Sequence, residues 1–249
     1  MADERRRIVV MIPTYNEAEN ITDLAREILA LPLDADLNVL VVDDDSPDGT
    51  GRIAEALGRE NGRVQALIRT KRRGRGAAGL DGFKAALALG PDLVVEMDGD
   101  FSHPPRFIPD LVTAMDRYDV VLGSRFVPGG RDADRSLVRR FITLLVRLFI
   151  RRKFRFPVKD VSSGFRCFRR EVLEAIDLDD CISVGPSVVL EVLYKAFLRG
   201  YRIGEVPIVF VDRKKGKTKL DLLTLVETLV AALRIERRYD PAPGRSPES

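Results

Sequence analysis

An α/β fold, with a mostly parallel central sheet flanked by helices, is what this 249-residue sequence predicts. Three observations predict it. Short β-branched, apolar runs recur through the first half, and stretches with helical spacing alternate with them. The first run, Ile8–Ile12, is apolar throughout, as a strand buried in a parallel sheet is. Another, Leu93–Met97, ends abruptly in Asp98-Gly99-Asp100, which puts two carboxylates at the sheet edge where open α/β sheets bind ligands.

The elements follow in order. Ile8–Ile12 is the first strand, closed by Pro13-Thr14-Tyr15-Asn16-Glu17. Asn20 to Leu29 places Ile21, Leu24, Ile28 and Leu29 at helical spacing. Val39–Val42 is a second strand, ending in Asp43-Asp44-Asp45-Ser46-Pro47-Asp48-Gly49-Thr50. A helix through Ile53, Ala56 and Leu57 and a strand Val64–Ile68 come next, then an Ala- and Leu-rich helix over 77–89. After the strand Leu93–Met97, Pro104 and Pro105 open another helix, and Val120–Gly123 is a fifth strand. Beyond Arg125 the alternation breaks. Phe126–Arg135 has loop composition, and Leu137–Ile150 is an apolar helix interrupted by Arg139, Arg140 and Arg147. A short segment Gly164–Phe168, helices at 172–176 and Pro186–Leu198, a strand Ile203–Val211, a basic loop Arg213–Lys219 and a helix Leu220–Arg238 complete the chain. The expected organisation is one domain over 1–240 with an amphipathic helical insertion around 136–156, and a disordered tail over 241–249.

Composition narrows the function. The 41 basic and 38 acidic residues leave a net charge of only +3, so no nucleic-acid partner is expected from global charge. Two cysteines, Cys167 and Cys181, define neither a metal spacing nor a disulfide framework and read as buried thiols. With His103 the only histidine, His-rich metal sites and a His-containing triad are disfavoured, and His103 itself reads as structural. Met1–Arg7 is polar and no apolar run reaches about 18 residues, so neither a signal peptide nor a spanning helix is expected, and a cytoplasmic location is the default.

Three groups could carry chemistry. Glu17, Asp44 and Asp45 should meet Asp98 at one edge of a parallel sheet, where carboxylates can bind a ribose or a base edge; Asn16 and Asp48 could instead cap helices. Asp98 and Asp100 supply hard oxygens suited to Mg²⁺ or Mn²⁺ shared with a diphosphate, although Asp and Gly are also ordinary turn residues. Gly99 should let the backbone turn sharply between them. Gly74-Arg75-Gly76-Ala77-Ala78-Gly79 matches a dinucleotide fingerprint, but five residues separate it from its strand. It therefore reads as a glycine loop before a helix, with Arg72, Arg73 and Arg75 either near phosphates or solvated. Arg125, Arg139, Arg140, Arg213 and Lys219 form a basic set able to bind phosphates, and Gly216 gives the last two a mobile lid.

With these residues in view, the chain resembles the family 2 glycosyltransferases, and among them the polyprenol-phosphate (dolichol-phosphate) mannose synthases. The matching stretches are Ile12–Glu17, Val42–Thr50, Gly74–Ala78, Met97–Pro104, Gly123–Arg125 and Val206–Lys219, in order across roughly residues 8–220. The resemblance implies a GT-A fold, a nucleoside-diphosphate sugar donor and a lipid-phosphate acceptor. It implies that Pro13, Tyr15, Glu17, Val42 and Asp44 hold the nucleoside. Asp98, Gly99 and Asp100 would serve the metal and donor diphosphate, with Asp100 the direct ligand, while Arg125, Arg139, Arg213 and Lys219 would bind phosphates. Gly99 stands where the family often has Ala, and Thr218 where Ser is usual. Val189 replaces a common Gln, which weakens any role for Glu191.

The implied reaction is inverting transfer of a sugar, GDP-mannose leading, to polyprenyl phosphate. An acceptor phosphate with a second pKa of about 6 is already an anionic nucleophile, so no strong general base is needed. Leu137–Phe156, with the basic run Arg151–Arg155, reads as an interfacial helix and implies peripheral association with the cytoplasmic face of a membrane, or a small anchoring subunit. A helix in the domain core or against a partner subunit is the plainer alternative. A UDP-glucose or other UDP-sugar donor, a non-catalytic nucleotide-sugar-binding subunit and a nucleotidyltransferase are the rival functions.

Overall fold

The computed structural model describes residues 5–71, 73–132, 137–183, 185–211 and 222–239, with backbone alone for 137–145 and 222–228. Strands are β1 (Arg6–Thr14), β2 (Ala35–Asp43), β3 (Val64–Ile68), β4 (Leu93–Glu96), β5 (Val120–Ser124), β6 (Arg131–Asp132), β7 (Arg166–Arg169), β8 (Ile203–Pro207) and β9 (Val209–Phe210). Helices are α1 (Ile21–Leu29), α2 (Thr50–Glu60), α3 (Arg75–Ala88), α4 (Ile108–Ala114), α5 (Leu137–Phe154), α6 (Arg170–Ala175), α7 (Val188–Leu198) and α8 (Leu222–Tyr239).

Seven strands form one sheet in the order β3-β2-β1-β4-β7-β5-β8. Every pairing in it is parallel except those of β7, which runs antiparallel to both β4 and β5. β6 and β9 pair separately. The mostly parallel sheet expected from the alternation is therefore present, with one reversed strand wedged into its centre.

β1 shows why both faces are covered. Its odd and even side chains enter different cores. Ile8, Val10 and Ile12 pack with Ile21, Leu24 and Ile28 of α1, Leu57 of α2 and Leu111 of α4. Val9 and Met11 face the other way, toward Phe83 of α3, Leu173 of α6 and Leu193 of α7. A fully buried Val or Ile contributes about 1.5–3 kcal/mol, so this all-apolar strand anchors both layers at once. On α3, small residues replace large ones. A Cβ added to Gly82 would lie 2.8 Å from the Met11 sulfur, so the helix approaches β1 as only glycine permits.

The second half differs from expectation in detail. α5 continues one turn past Ile150, and its end is core: Ile150 and Phe154 are buried, with Phe154 against Tyr194 at 4.6 Å between ring centroids. One face of α5 is open near Ile150, where Leu148 and Phe149 are 46% and 42% exposed. Gly164–Phe168 contains the start of β7. Glu191 lies away from the sheet edge and is a tie: it accepts from the Ile182 and Ser183 N–H groups and from the Tyr239 hydroxyl, each at 2.7 Å. Among the described residues, no helix is long and apolar enough to cross a membrane. The tail over 241–249 and the loop Arg213–Lys219 lie outside the described residues.

Candidate active site

The C-terminal ends of β1, β2 and β4 open onto a cavity of about 250 Å³. It is lined by Pro13 and Thr14 at the end of β1, Tyr15 and Glu17 just beyond it, Asp44 after β2, Arg75 and Ala78 of α3, and Asp98, Gly99 and Asp100 after β4. Parallel register explains the convergence: Thr14 pairs with Asp43 and Met11 with Glu96, so three strand ends share one rim. Eight of the residues singled out in the sequence thus line one cavity.

Each wall is held by its own hydrogen bonds. Asp44 is bound by the Arg69 guanidinium and by the Gly74 N–H at 2.7 Å, and Arg69 also bonds Asp81 at 2.9 Å. Asp48, one residue before the Gly49 N-cap of α2, accepts from the Thr50 N–H at 3.0 Å and also from the Ala18 N–H, which locks the β1 and β2 loops together. Asn16 caps nothing; its N–H donates to the Ser46 hydroxyl. Glu17 accepts from the Asn20 side chain at 2.7 Å. Asp45 turns away from this cavity into an adjoining one of about 400 Å³, where Arg73 pairs with it. Tyr15, 55% exposed, lines both.

The Asp-Gly-Asp turn is built differently from expectation. The left-handed residue is Phe101, at φ 61°, not Gly99. Gly99 is small for contact: a Cβ there would lie 3.1 Å from Thr14 Cγ2. Asp98 pairs with the Arg75 guanidinium, and the Asp98 N–H donates to His103 Nδ1 at 3.2 Å. Asp98 raises the Arg75 pKa further. His103 is buried, stacked on Phe165 at 5.2 Å, and burial depresses its pKa, which leaves a neutral ring whose Nδ1 accepts. Asp100 is buried and accepts from the Ser102 N–H at 3.0 Å.

Two expected members stand apart. The Val42 side chain is buried in the core with Met11 and lines no part of the cavity. Arg125 does not line it either, because β7 intervenes between β4 and β5 and sets Arg125 two strands from Asp98. Its guanidinium makes two 2.8 Å bonds to the buried Asp160 and a third to Ser162. Burial pushes the Asp160 carboxyl up, and the bonds from Arg125 and Ser162 more than reverse this, holding it below the usual carboxylate range. The Arg139 side chain, Arg72, Arg213, Gly216 and Lys219 lie outside what is described.

The sequence leaves Arg75 either near phosphates or solvated and signals neither its pairing with Asp98 nor the parts of Asp160 and Gly164. A Cβ on Gly164 would lie 2.7 Å from Arg75 Nη2, so glycine there gives Arg75 its path to Asp98. The Gly-Arg-Gly stretch at 74–76 was the available signal for Arg75.

A glycosyltransferase site is what this fold and rim define, and the chain belongs to glycosyl transferase family 2, whose profile matches residues 9–177. It is 39% identical over 229 residues to the undecaprenyl-phosphate mannosyltransferase of Micrococcus luteus, covering 92% of this chain and 93% of that protein. It is 37% identical over 244 residues to the polyprenol monophosphomannose synthase of Mycolicibacterium smegmatis, covering 96% and 91%. With the dolichol-phosphate mannosyltransferase of Pyrococcus furiosus it shares 36% over 227 residues, which is 90% of this chain and 62% of that protein. In structure it resembles glucosyl-3-phosphoglycerate synthase from Mycobacterium tuberculosis in complex with phosphoglyceric acid, with a TM-score of 0.70 at 22% identity, covering 92% and 80%. The same enzyme in complex with Mn²⁺, UDP-glucose and phosphoglyceric acid gives 0.68 at 23%, covering 92% and 79%. That likeness is one of fold, and the fold is the GT-A fold expected.

Proposed function

We propose that this protein transfers mannose, with GDP-mannose the leading donor, to the phosphate of a polyprenyl phosphate, with inversion at the sugar. The observation that carries the reading is the identity of 36–39% to three proteins named for this class of transfer, over 90% or more of the chain. The cavity agrees with it. Its rim offers an exposed aromatic, Tyr15, for a base or ribose, and carboxylates and a guanidinium farther in for a diphosphate. Pro13, Tyr15, Glu17 and Asp44 hold the nucleoside in this reading, with Val42 acting through its main chain. Arg139, Arg213 and Lys219 bind phosphates.

A divalent cation, Mg²⁺ or Mn²⁺, fits the donor set. Asp98 and Asp100 bring two hard carboxylates to one cavity, a pair of oxygen donors that a cation can share with a diphosphate. Asp98 and Asp100 would hold the ion, which when bound supplies positive charge to the departing diphosphate. Arg75 already places a cation on Asp98 and would turn to the phosphates. The acceptor phosphate is its own nucleophile, and His103, buried and neutral, is not asked to be a base.

The acceptor tail needs an apolar surface, since each exposed CH₂ costs about 0.8 kcal/mol. Leu148 and Phe149 on α5, with Arg152 and Lys153 exposed beyond them, fit a peripheral helix at the cytoplasmic face of a membrane or on a small anchoring subunit. Incubation with labelled GDP-mannose, UDP-glucose and other nucleotide sugars, polyprenyl phosphate and Mn²⁺ or Mg²⁺ tests the reading. Labelled mannosyl lipid is expected. Transfer from a UDP-sugar alone replaces the donor, and no transfer from any donor removes the function.

A further inference from the structure

Arg147 and Arg151 stand one turn apart on α5, near Arg125, with guanidinium nitrogens that no described residue meets. The Arg147 guanidinium lies over the Phe126 ring at 3.8 Å, and Arg125 approaches the same ring at 5.2 Å. Arg147 Nε and Nη1 and Arg151 Nε are buried and have no hydrogen-bond partner among the described residues. The neighbouring carboxylates are engaged: Asp160 by Arg125 and Ser162, and Glu205 by the Lys159 and Asp160 N–H groups at 2.7 and 2.8 Å. Burial lowers the Arg147 pKa; Asp160 offsets part of this, and Arg151 and Arg125 add to it. Like charges at i and i+4 repel, and buried donors without partners are costly, so the arrangement is poised for an anion. Ring contacts lead from here to the donor cavity. Arg125 lies 5.2 Å from the Phe210 ring, and Phe210 meets His103 edge-on at 5.4 Å, beside Asp98. Leu148 and Phe149, next in sequence to Arg147, are exposed and apolar.

We propose that Arg147 and Arg151 form an anion site for a phosphate monoester, and that the anion is the acceptor's phosphate entering from the α5 side. The source of the anion rests on the transferase reading; the site itself does not. A guanidinium fork matches phosphate oxygens, and the adjacent apolar pair receives the first units of the tail.

The test uses the full chain and a water-soluble, short-chain prenyl phosphate without membranes. Arg147→Gln should raise the acceptor KM about tenfold or more, with kcat and donor affinity unchanged. Arg147→Lys should recover part of the loss, because a point charge replaces the fork. Without ligand, Arg147→Gln should melt no lower than wild type, as two buried donors without partners have been removed. An unchanged acceptor KM, or equal losses in acceptor and donor affinity, overturns the proposal. Two further arms separate the sources. Phosphatidylglycerol vesicles should bind wild type and Arg147→Gln alike, and a loss confined to vesicles overturns the acceptor assignment. Should wild type transfer sugar to no prenyl phosphate, the transferase reading fails by itself. Titration with inorganic phosphate then decides the site: weaker binding by Arg147→Gln/Arg151→Gln supports it, and equal binding overturns it.

Discussion

Two arginine–carboxylate pairs begin two residues apart in the chain and do different things. Glu96, the last residue of β4, pairs with Arg166 across the sheet; their side chains are 2% and 0% exposed, and Arg166 also donates to the Val189 carbonyl at 2.7 Å. Asp98 pairs with Arg75 at the rim, where the side chains are 20% and 34% exposed. The first pair has no room to exchange partners, so it is architecture: it ties β4, β7 and the start of α7 together. The second faces a cavity, so a metal or a phosphate can take the place of either partner. The chemistry of the pairs is the same, and depth in the fold decides which is structure and which is site.

The largest effect expected from this contrast is on stability. Glu96→Gln leaves Arg166 buried without its counter-charge and should cost about 3–5 kcal/mol in denaturant unfolding, whereas Glu96→Leu/Arg166→Met should recover most of that. If Glu96→Gln costs as little as a rim substitution, the inner pair is not the anchor described. Next comes catalysis. Asp100→Ala should lower turnover by about 10²-fold or more while the protein stays folded by circular dichroism, and chelation should abolish wild-type activity until Mn²⁺ or Mg²⁺ is restored. Full activity in excess chelator would remove the metal from the reading.

A smaller effect is expected in acid. Asp160 has a depressed folded pKa, so its pairing with Arg125 stabilises the fold above the ordinary carboxylate value of 3.8. That stability is lost as pH falls below this value toward the folded pKa, by at most about 1.4 kcal/mol per pH unit for one proton. Melting curves from pH 5 downward should therefore be steeper for wild type than for Asp160→Asn; parallel curves would contradict it. The smallest stability effect belongs to the rim. Arg75→Gln should cost no more than about 1 kcal/mol, since a partly exposed pair is screened. It should tighten Mn²⁺ binding in the absence of donor, read by metal titration, because a competing cation has left Asp98. Weaker metal binding would mean that Arg75 supports the ion instead of standing in for it.

The same contrast shows what could be read from the chain alone. Val64–Ile68 was legible to the residue, and the rim at Asp44 and Asp98 was legible because apolar runs stop there in turn residues, whereas β1 continues two residues past its apolar run, through Pro13 and Thr14. Local patterning carries that information. Pairings between distant residues do not announce themselves: Arg166 meets Glu96 across 70 positions and Arg125 meets Asp160 across 35. Arg125, expected as a phosphate ligand, rests its guanidinium on Asp160 and Ser162. Nor does a four-residue strand such as β7 declare its direction. Its reversal depends on edges left open by β4 and β5, and it is its insertion between them that sets Arg125 two strands from Asp98.

The reversed strand also orders the making of the protein. β3, β2, β1 and β4 form a continuous parallel block, complete once residue 96 exists, but the free edge of β4 waits for β7, about seventy residues later. Until then a nascent chain presents an apolar strand edge with unpaired N–H and C=O groups, the template on which chains aggregate. Closing so long a loop delays the central sheet more than it weakens it, because the entropy of closure grows slowly with length while non-local pairing is slow to form. Translation past residue 169 is therefore the step at which this fold becomes safe from its neighbours, and a chain truncated before β7 should partition into inclusion bodies even though every strand of the donor rim is present.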